Sequence, residues 1–76
     1  MKIKILGTGC PNCLVLEANT RKAVDDMKIK ASIEKVTDIA KIMEYGVIST
    51  PALVVNEKVV SYGRVLSPEE IKKLLR

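Results

Sequence analysis

Cys10 and Cys13 are the only thiols in this chain, and histidine is absent. Any redox, nucleophilic or soft-metal chemistry must therefore rest on sulfur, without the usual imidazole base or ligand. The motif reads Cys10-Pro11-Asn12-Cys13. Residues at this spacing lie one helical turn apart, so the two thiols can close reversibly into a small disulfide ring. Two thiolates also suit Cu(I), a soft ion content with few ligands. Pro11 fits the first position of a helix, which makes Cys10 its N-cap. A thiol placed there has its anion stabilised by free backbone N–H groups and by the positive end of the helix dipole. Cys13 falls one turn in, on the inward face. The two sulfurs are thus chemically unequal, with Cys10 exposed at the tip and Cys13 beneath it.

A strand must deliver the chain to this motif and a helix must carry it away. Lysine alternates with isoleucine over residues 2–6, and Gly7-Thr8-Gly9 breaks the pattern into a tight turn. That turn lacks the third glycine or the Lys-Ser/Thr tail of a phosphate-binding loop. The first helix is predicted to run from Pro11 to Met27. Cys13, Leu16, Thr20, Ala23, Val24 and Met27 share its inner side, and Glu17, Arg21, Lys22 and Asp25 the opposite one. Lys30–Val36 reads as a second strand, with Ala31 and Ile33 on one face. Asp38 caps a short helix, Ile39–Tyr45, whose apolar Ile39, Ile42 and Met43 share a side and which Gly46 ends. Ala52–Val55 and Lys58–Ser61 form a hairpin about Asn56-Glu57, a turn without the customary glycine. Ser67, Pro68 and Glu70 supply cap, N1 and N3 of a capping box. Ile71, Leu74 and Leu75 make the buried stripe of this last helix, and Lys72, Lys73 and Arg76 suit its negative end. The predicted order is βαβαββα.

At 76 residues the chain has room for a single domain, spanning 1–76. A domain this small buries only about 60% of its unfolded surface, so packing must be efficient. Hydrophobic residues make up 47% of the chain, yet Phe and Trp are absent. The core must be aliphatic. The net charge of +4 comes from scattered lysines with no aromatic residues among them for base stacking, which argues against a nucleic-acid partner. No apolar run approaches the roughly 18 residues needed to cross a bilayer, so no membrane partner is expected. The alternating N-terminus is not the continuous apolar region of a signal peptide, and the expected compartment is the cytoplasm. There, paired cysteines are more often catalytic or metal-binding than structural.

Gly9-Cys10-Pro11-Asn12-Cys13 at the first helix, Ser49-Thr50-Pro51-Ala52 before the third strand, and the trailing hairpin and helix resemble the thioredoxin superfamily. The chain is most similar to the small archaeal and bacterial redox-active disulfide proteins, over essentially its whole length. That likeness includes the Gly7-Thr8-Gly9-Cys10 opening and the Gly63-Arg64-Val65 segment. The resemblance implies a minimal thioredoxin-like α/β fold, with a four-stranded mixed sheet and three helices. It implies a thiol–disulfide oxidoreductase in which Cys10 is the nucleophile and Cys13 resolves the mixed disulfide. Most X–Pro bonds are trans, but the resemblance implies a cis bond at Thr50-Pro51, packed beside the disulfide. Thr8, Thr50, Pro51 and Gly63 are the candidate substrate-binding residues. The implied partners are a disulfide-containing protein and an upstream disulfide reductase, with no cofactor or metal and a monomeric state. Asn12 stands where glutaredoxins commonly carry Tyr, and Gly63-Arg64-Val65-Leu66-Ser67 replaces their Gly-Gly-x-Asp stretch, so glutathione dependence is not implied.

The alternative is a Cu(I) or soft-metal carrier domain of the heavy-metal-associated type, using the same two thiolates. That fold runs βαββαβ and ends in a strand. It would require strand where Asp38–Tyr45 and the capped C-terminal segment read as helix.

Overall fold

The computed structural model describes residues 1–75. Its elements are β1 (Lys2–Leu6), α1 (Pro11–Met27), β2 (Ser32–Val36), α2 (Ile39–Glu44), β3 (Ala52–Val55), β4 (Lys58–Tyr62) and α3 (Pro68–Leu75). The sheet order is β2-β1-β3-β4. β1 runs parallel to β2 and antiparallel to β3, and β3 is antiparallel to β4. This is the α/β, βαβαββα arrangement expected from the pattern. Helices occupy both positions where a metal-carrier domain of the heavy-metal-associated type would need strands.

Strand alternation divides the core into two layers. Ile3, Ile5 and Leu53 face one side, where Leu16 and Ala23 of α1 and Ile71 and Leu75 of α3 cover them. Leu6, Ala52 and Val54 face the other side, against Ile42 of α2 and Val47. Each fully buried Leu or Ile contributes roughly 1.5–3 kcal/mol. The α1–α3 face, with Ile3, Leu16, Leu53 and Ile71 all fully buried, is therefore the main stabilising contact. Thr20 joins that buried stripe because its hydroxyl donates to the Leu16 carbonyl at 2.7 Å, leaving only its methyl to be packed. Asn19 donates to the Leu66 carbonyl at 2.9 Å and ties α1 to the approach to α3.

Several boundaries differ from expectation. β2 begins at Ser32, not Lys30, because its ladder with β1 starts at the Lys2–Ser32 pair and Ala31 packs on the α1–α3 core instead. α2 stops at Glu44; Tyr45 is its C-cap, and the tyrosine hydroxyl accepts from the Lys4 ammonium at 2.8 Å. β4 continues one residue further, to Tyr62, which pairs with Ala52. Ile39, Ile42 and Met43 share a side of α2 as predicted, but only Ile42 is buried. Leu74 is likewise exposed, whereas Ile71 and Leu75 are buried. α1 ends without glycine: Lys28 takes the left-handed conformation, φ 54°, and its N–H donates to the Asp25 carbonyl at 3.1 Å.

The hairpin and final helix form as their residues suggest. Asn56 and Glu57 both have positive φ, 50° and 69°, as a type I′ turn requires. The capping box closes in both directions at 3.2 Å: Glu70 N–H to Ser67 Oγ, and Ser67 N–H to Glu70 Oε1. Arg76, expected at the negative end of α3, lies outside the described residues. Among the described residues no helix is long and apolar enough to cross a membrane.

Candidate active site

The β1–α1 turn brings the two sulfurs together. Pro11 occupies the first position of α1, and Cys10 stands before it as an extended N-cap, φ −65° and ψ 162°. The capping acceptor is the cysteine sulfur itself, which receives the Cys13 N–H at 3.2 Å. The Leu14 N–H donates to the Cys10 carbonyl at 3.1 Å and closes the first turn. The two cysteines form a disulfide across this turn, with their Cα atoms 5.0 Å apart. Cys13 is buried at 5% exposure, and Cys10 is more open. The inequality expected from position is thus present in the fold.

Gly7 makes room for the inner sulfur. A Cβ at this position would collide with Cys13 Sγ and lie 3.2 Å from Cys13 Cβ, with the Pro51 Cα 4.0 Å away. The same geometry sets the Pro51 segment beside the disulfide. The Thr50-Pro51 bond is cis. Pro51 is buried, while Thr50 and Thr8 are exposed. Gly63 reaches the site through its backbone: its N–H donates to the Pro51 carbonyl at 2.9 Å. Its φ is 70°, and a side chain there would press on Ser49. Gly63 thereby braces the proline loop from behind.

Thr8 and Thr50 line a groove of about 320 Å³ together with Ile39, Ile42, Met43, Val47 and Ile48. None of these side chains is charged. Ile48 stands 95% exposed just before the Ser49-Thr50-Pro51 segment. Amphipathic periodicity places Ile39 and Met43 on the inner side of α2, so their exposure gave no signal in the sequence.

A second, smaller cavity of about 50 Å³ adjoins Cys13. It is lined by Ile5, Gly7, Gly9, Cys13, Leu14, Glu17, Lys35 and Thr37. Glu17, expected on the solvated face of α1, is tucked in, with its side chain only 13% exposed. Its carboxylate accepts from Arg21 Nη2 at 2.9 Å and Nε at 3.2 Å, and pairs with Lys35 Nζ at 3.7 Å. Its position four residues after Cys13 was the available clue, since residues at that spacing lie one above the other. Among the described residues, no cluster of three or more His, Cys, Asp or Glu is placed to hold a metal ion.

Comparison with known proteins agrees with this geometry. A family model described as "Thioredoxin domain" matches residues 1–76. The chain is similar to a protein named thioredoxin from Methanothermobacter thermautotrophicus, 48% identical over 75 residues, covering 99% of this chain and 97% of the relative. It is also similar to a protein named thioredoxin from Methanocaldococcus jannaschii, 43% identical over 74 residues, covering 97% of this chain and 85% of the relative.

Proposed function

We propose, from the premise that this chain belongs to the thioredoxin family and is a thiol–disulfide oxidoreductase, that it reduces disulfides of partner proteins with Cys10 as nucleophile. The observation that carries this reading is the hydrogen bond from the Cys13 N–H to the Cys10 sulfur at the helix tip. In the reduced protein that donor and the helix dipole favour the Cys10 thiolate, the form that attacks. Cys10 attacks one sulfur of the partner disulfide, and the other leaves as a thiolate. Cys13 then attacks the Cys10 sulfur, forming the intramolecular disulfide and releasing the second partner thiol. An upstream disulfide reductase returns the protein to its dithiol form.

Partner recognition falls to the groove side of the site. Thr8 and Thr50 line the groove, Pro51 follows Thr50 through the cis bond, and the Gly63 N–H holds the proline loop in place. An extended partner segment can lie against the exposed Thr50 backbone with an apolar side chain toward Ile48. The reaction requires neither metal nor organic cofactor, and a monomer suffices because every participating group lies on one chain.

The test is insulin reduction with dithiothreitol as electron source. Cys10→Ser abolishes the activity, and Cys13→Ser accumulates a covalent adduct with the insulin chain, released by excess reductant. Persisting turnover by the Cys10→Ser protein would overturn the assignment.

A further inference from the structure

We propose that Lys4, Tyr45 and Glu57 form a latch that positions α2 for partner recognition and takes no part in the sulfur chemistry. This rests on the reading that the groove beside Thr50 receives the partner protein.

The groove needs α2 held still, and α2 has little else to hold it. The helix is six residues long, Ile39–Glu44, too short to persist without tertiary contacts. Ile42 is its one buried residue, while Ile39 and Met43, which line the groove, are exposed. Its N-terminal cap, the Ala40 N–H donating to Asp38 Oδ1 at 2.9 Å, is local and gives no hold on the sheet. At the other end the Tyr45 hydroxyl does. It accepts from Lys4 Nζ on β1 at 2.8 Å and donates to Glu57 Oε2 in the β3–β4 turn at 3.4 Å. Lys4 and Glu57 close the triangle at 2.9 Å. The Lys4 ammonium also lies 5.6 Å from the centre of the Tyr45 ring, within cation–π reach. The bond to Tyr45, and next that to Glu57, raise Lys4 above the usual lysine range and keep it charged. Among the described residues, no other side-chain hydrogen bond joins residues 38–50 to the sheet.

From Tyr45 the chain takes a short path to the site. The Tyr45 and Gly46 N–H groups donate to the Ile42 and Met43 carbonyls at 3.1 and 2.9 Å. Gly46 then turns with φ 77°, Val47 is buried, and Ile48, Ser49 and Thr50 lead into the cis bond. A tyrosine fixed at this point sets α2 before it and the groove residues Val47, Ile48 and Thr50 after it. Lys4, Tyr45 and Glu57 themselves line neither the groove nor the cavity at Cys13, so they act as positioning residues.

Tyr45→Phe tests the latch, because it removes the hydroxyl, keeps the ring and changes no charge. Insulin reduction with dithiothreitol is read as separate KM and kcat values, beside the rate at which reduced protein reacts with hydroxyethyl disulfide, a molecule too small to fill the groove. In Tyr45→Phe the KM for insulin rises about three- to fivefold as the fraction of protein with a competent groove falls, while kcat and the hydroxyethyl disulfide rate stay within about twofold. Lys4→Met acts in the same direction, and the double variant falls short of the product of the two effects, as it must if both break one device. Amide exchange at Tyr45 and Gly46 quickens in both variants, with α1 unchanged. An unchanged KM, a multiplicative double variant, or an equal fall in the hydroxyethyl disulfide rate would overturn the latch. Ile48→Ser separates the two readings. If it raises the KM and Tyr45→Phe does not, the latch alone falls; if neither raises it, the groove reading falls and takes the latch with it.

Discussion

Gly7→Ala separates steric support of the disulfide from ordinary stability. Gly7 is not in the left-handed region, so alanine meets no backbone penalty; the added methyl acts through space alone. That methyl would collide with Cys13 Sγ and lie 3.2 Å from Cys13 Cβ. In the oxidised protein the sulfur is tethered to Cys10 and cannot rotate away. In the reduced protein the thiol can change rotamer, leaving only the milder contact with Cβ. Overpacking of a close-packed site costs about 1–3 kcal/mol. If that cost falls mainly on the oxidised form, the reduction potential rises by about 20–65 mV, since 30 mV corresponds to about 1.4 kcal/mol for a two-electron couple. The assay is equilibration in dithiothreitol redox buffers, followed by alkylation and counting of free thiols. Urea unfolding of both forms supplies the independent leg of the thermodynamic cycle. An unchanged potential, with both forms destabilised alike, would refute the claim that Gly7 serves the sulfur.

Two further outcomes follow from the surface network. Ser67→Ala removes the hydroxyl that caps α3 and should cost about 1 kcal/mol, within a range of 0.5–2, in urea unfolding; no loss would mean that α3 is held by Ile71 and Leu75 alone. Stability should also fall at both pH extremes. The carboxyls of Glu70, Asp26 and Glu57 are held below their ordinary values, chiefly by the Ser67 N–H, Lys72 and Lys4 respectively. Their contribution is complete above the unfolded carboxylate range and is lost as pH falls through the lowered folded values, below about pH 4. Lys4 and Lys72 are shifted upward, chiefly by bonds to Tyr45 and to Asp26, so their contribution is complete below about pH 10 and is lost above it. Urea titrations at pH 7, 4 and 3 check the acid arm, and constant stability across them would refute it.

The elements legible in the sequence are those specified by neighbours along the chain. Pro11 after Cys10 and the Ser67-Pro68-x-Glu70 run mark helix starts with groups no more than three residues apart, and both helices begin where those groups place them. The Asn56-Glu57 turn was legible despite its missing glycine, because the apolar runs on either side leave two residues to reverse the chain. β2 was less so. Lys30 and Ala31 fit a strand locally, but a strand exists only where a neighbouring ladder meets it, and that ladder starts at Ser32. The exposure of Ile39 and Met43 was hidden for a related reason. Helical periodicity predicts which residues share a side of α2, and only tertiary packing decides how far the sheet covers that side.

The same distinction runs through the site. That Cys10 and Cys13 differ follows from one helical turn and one proline, and the fold preserves it. What acts on the inner sulfur comes from farther away. Gly7 belongs to the end of β1, and its role depends on how deeply α1 settles against that strand. Glu17 lies on the border of the buried stripe, at the spacing that stacks it over Cys13. Whether it is solvated or enclosed depends on Lys35 and Thr37, which reach the cavity from β2 and the residues after it. The parallel β1–α1–β2 crossover puts those residues over the helix, and no local pattern around residue 17 encodes that. Lys35 is therefore the informative neighbour. A lysine at this point of an edge strand reads as ordinary solvation, yet here it lines the same cavity as Cys13 and pairs with Glu17.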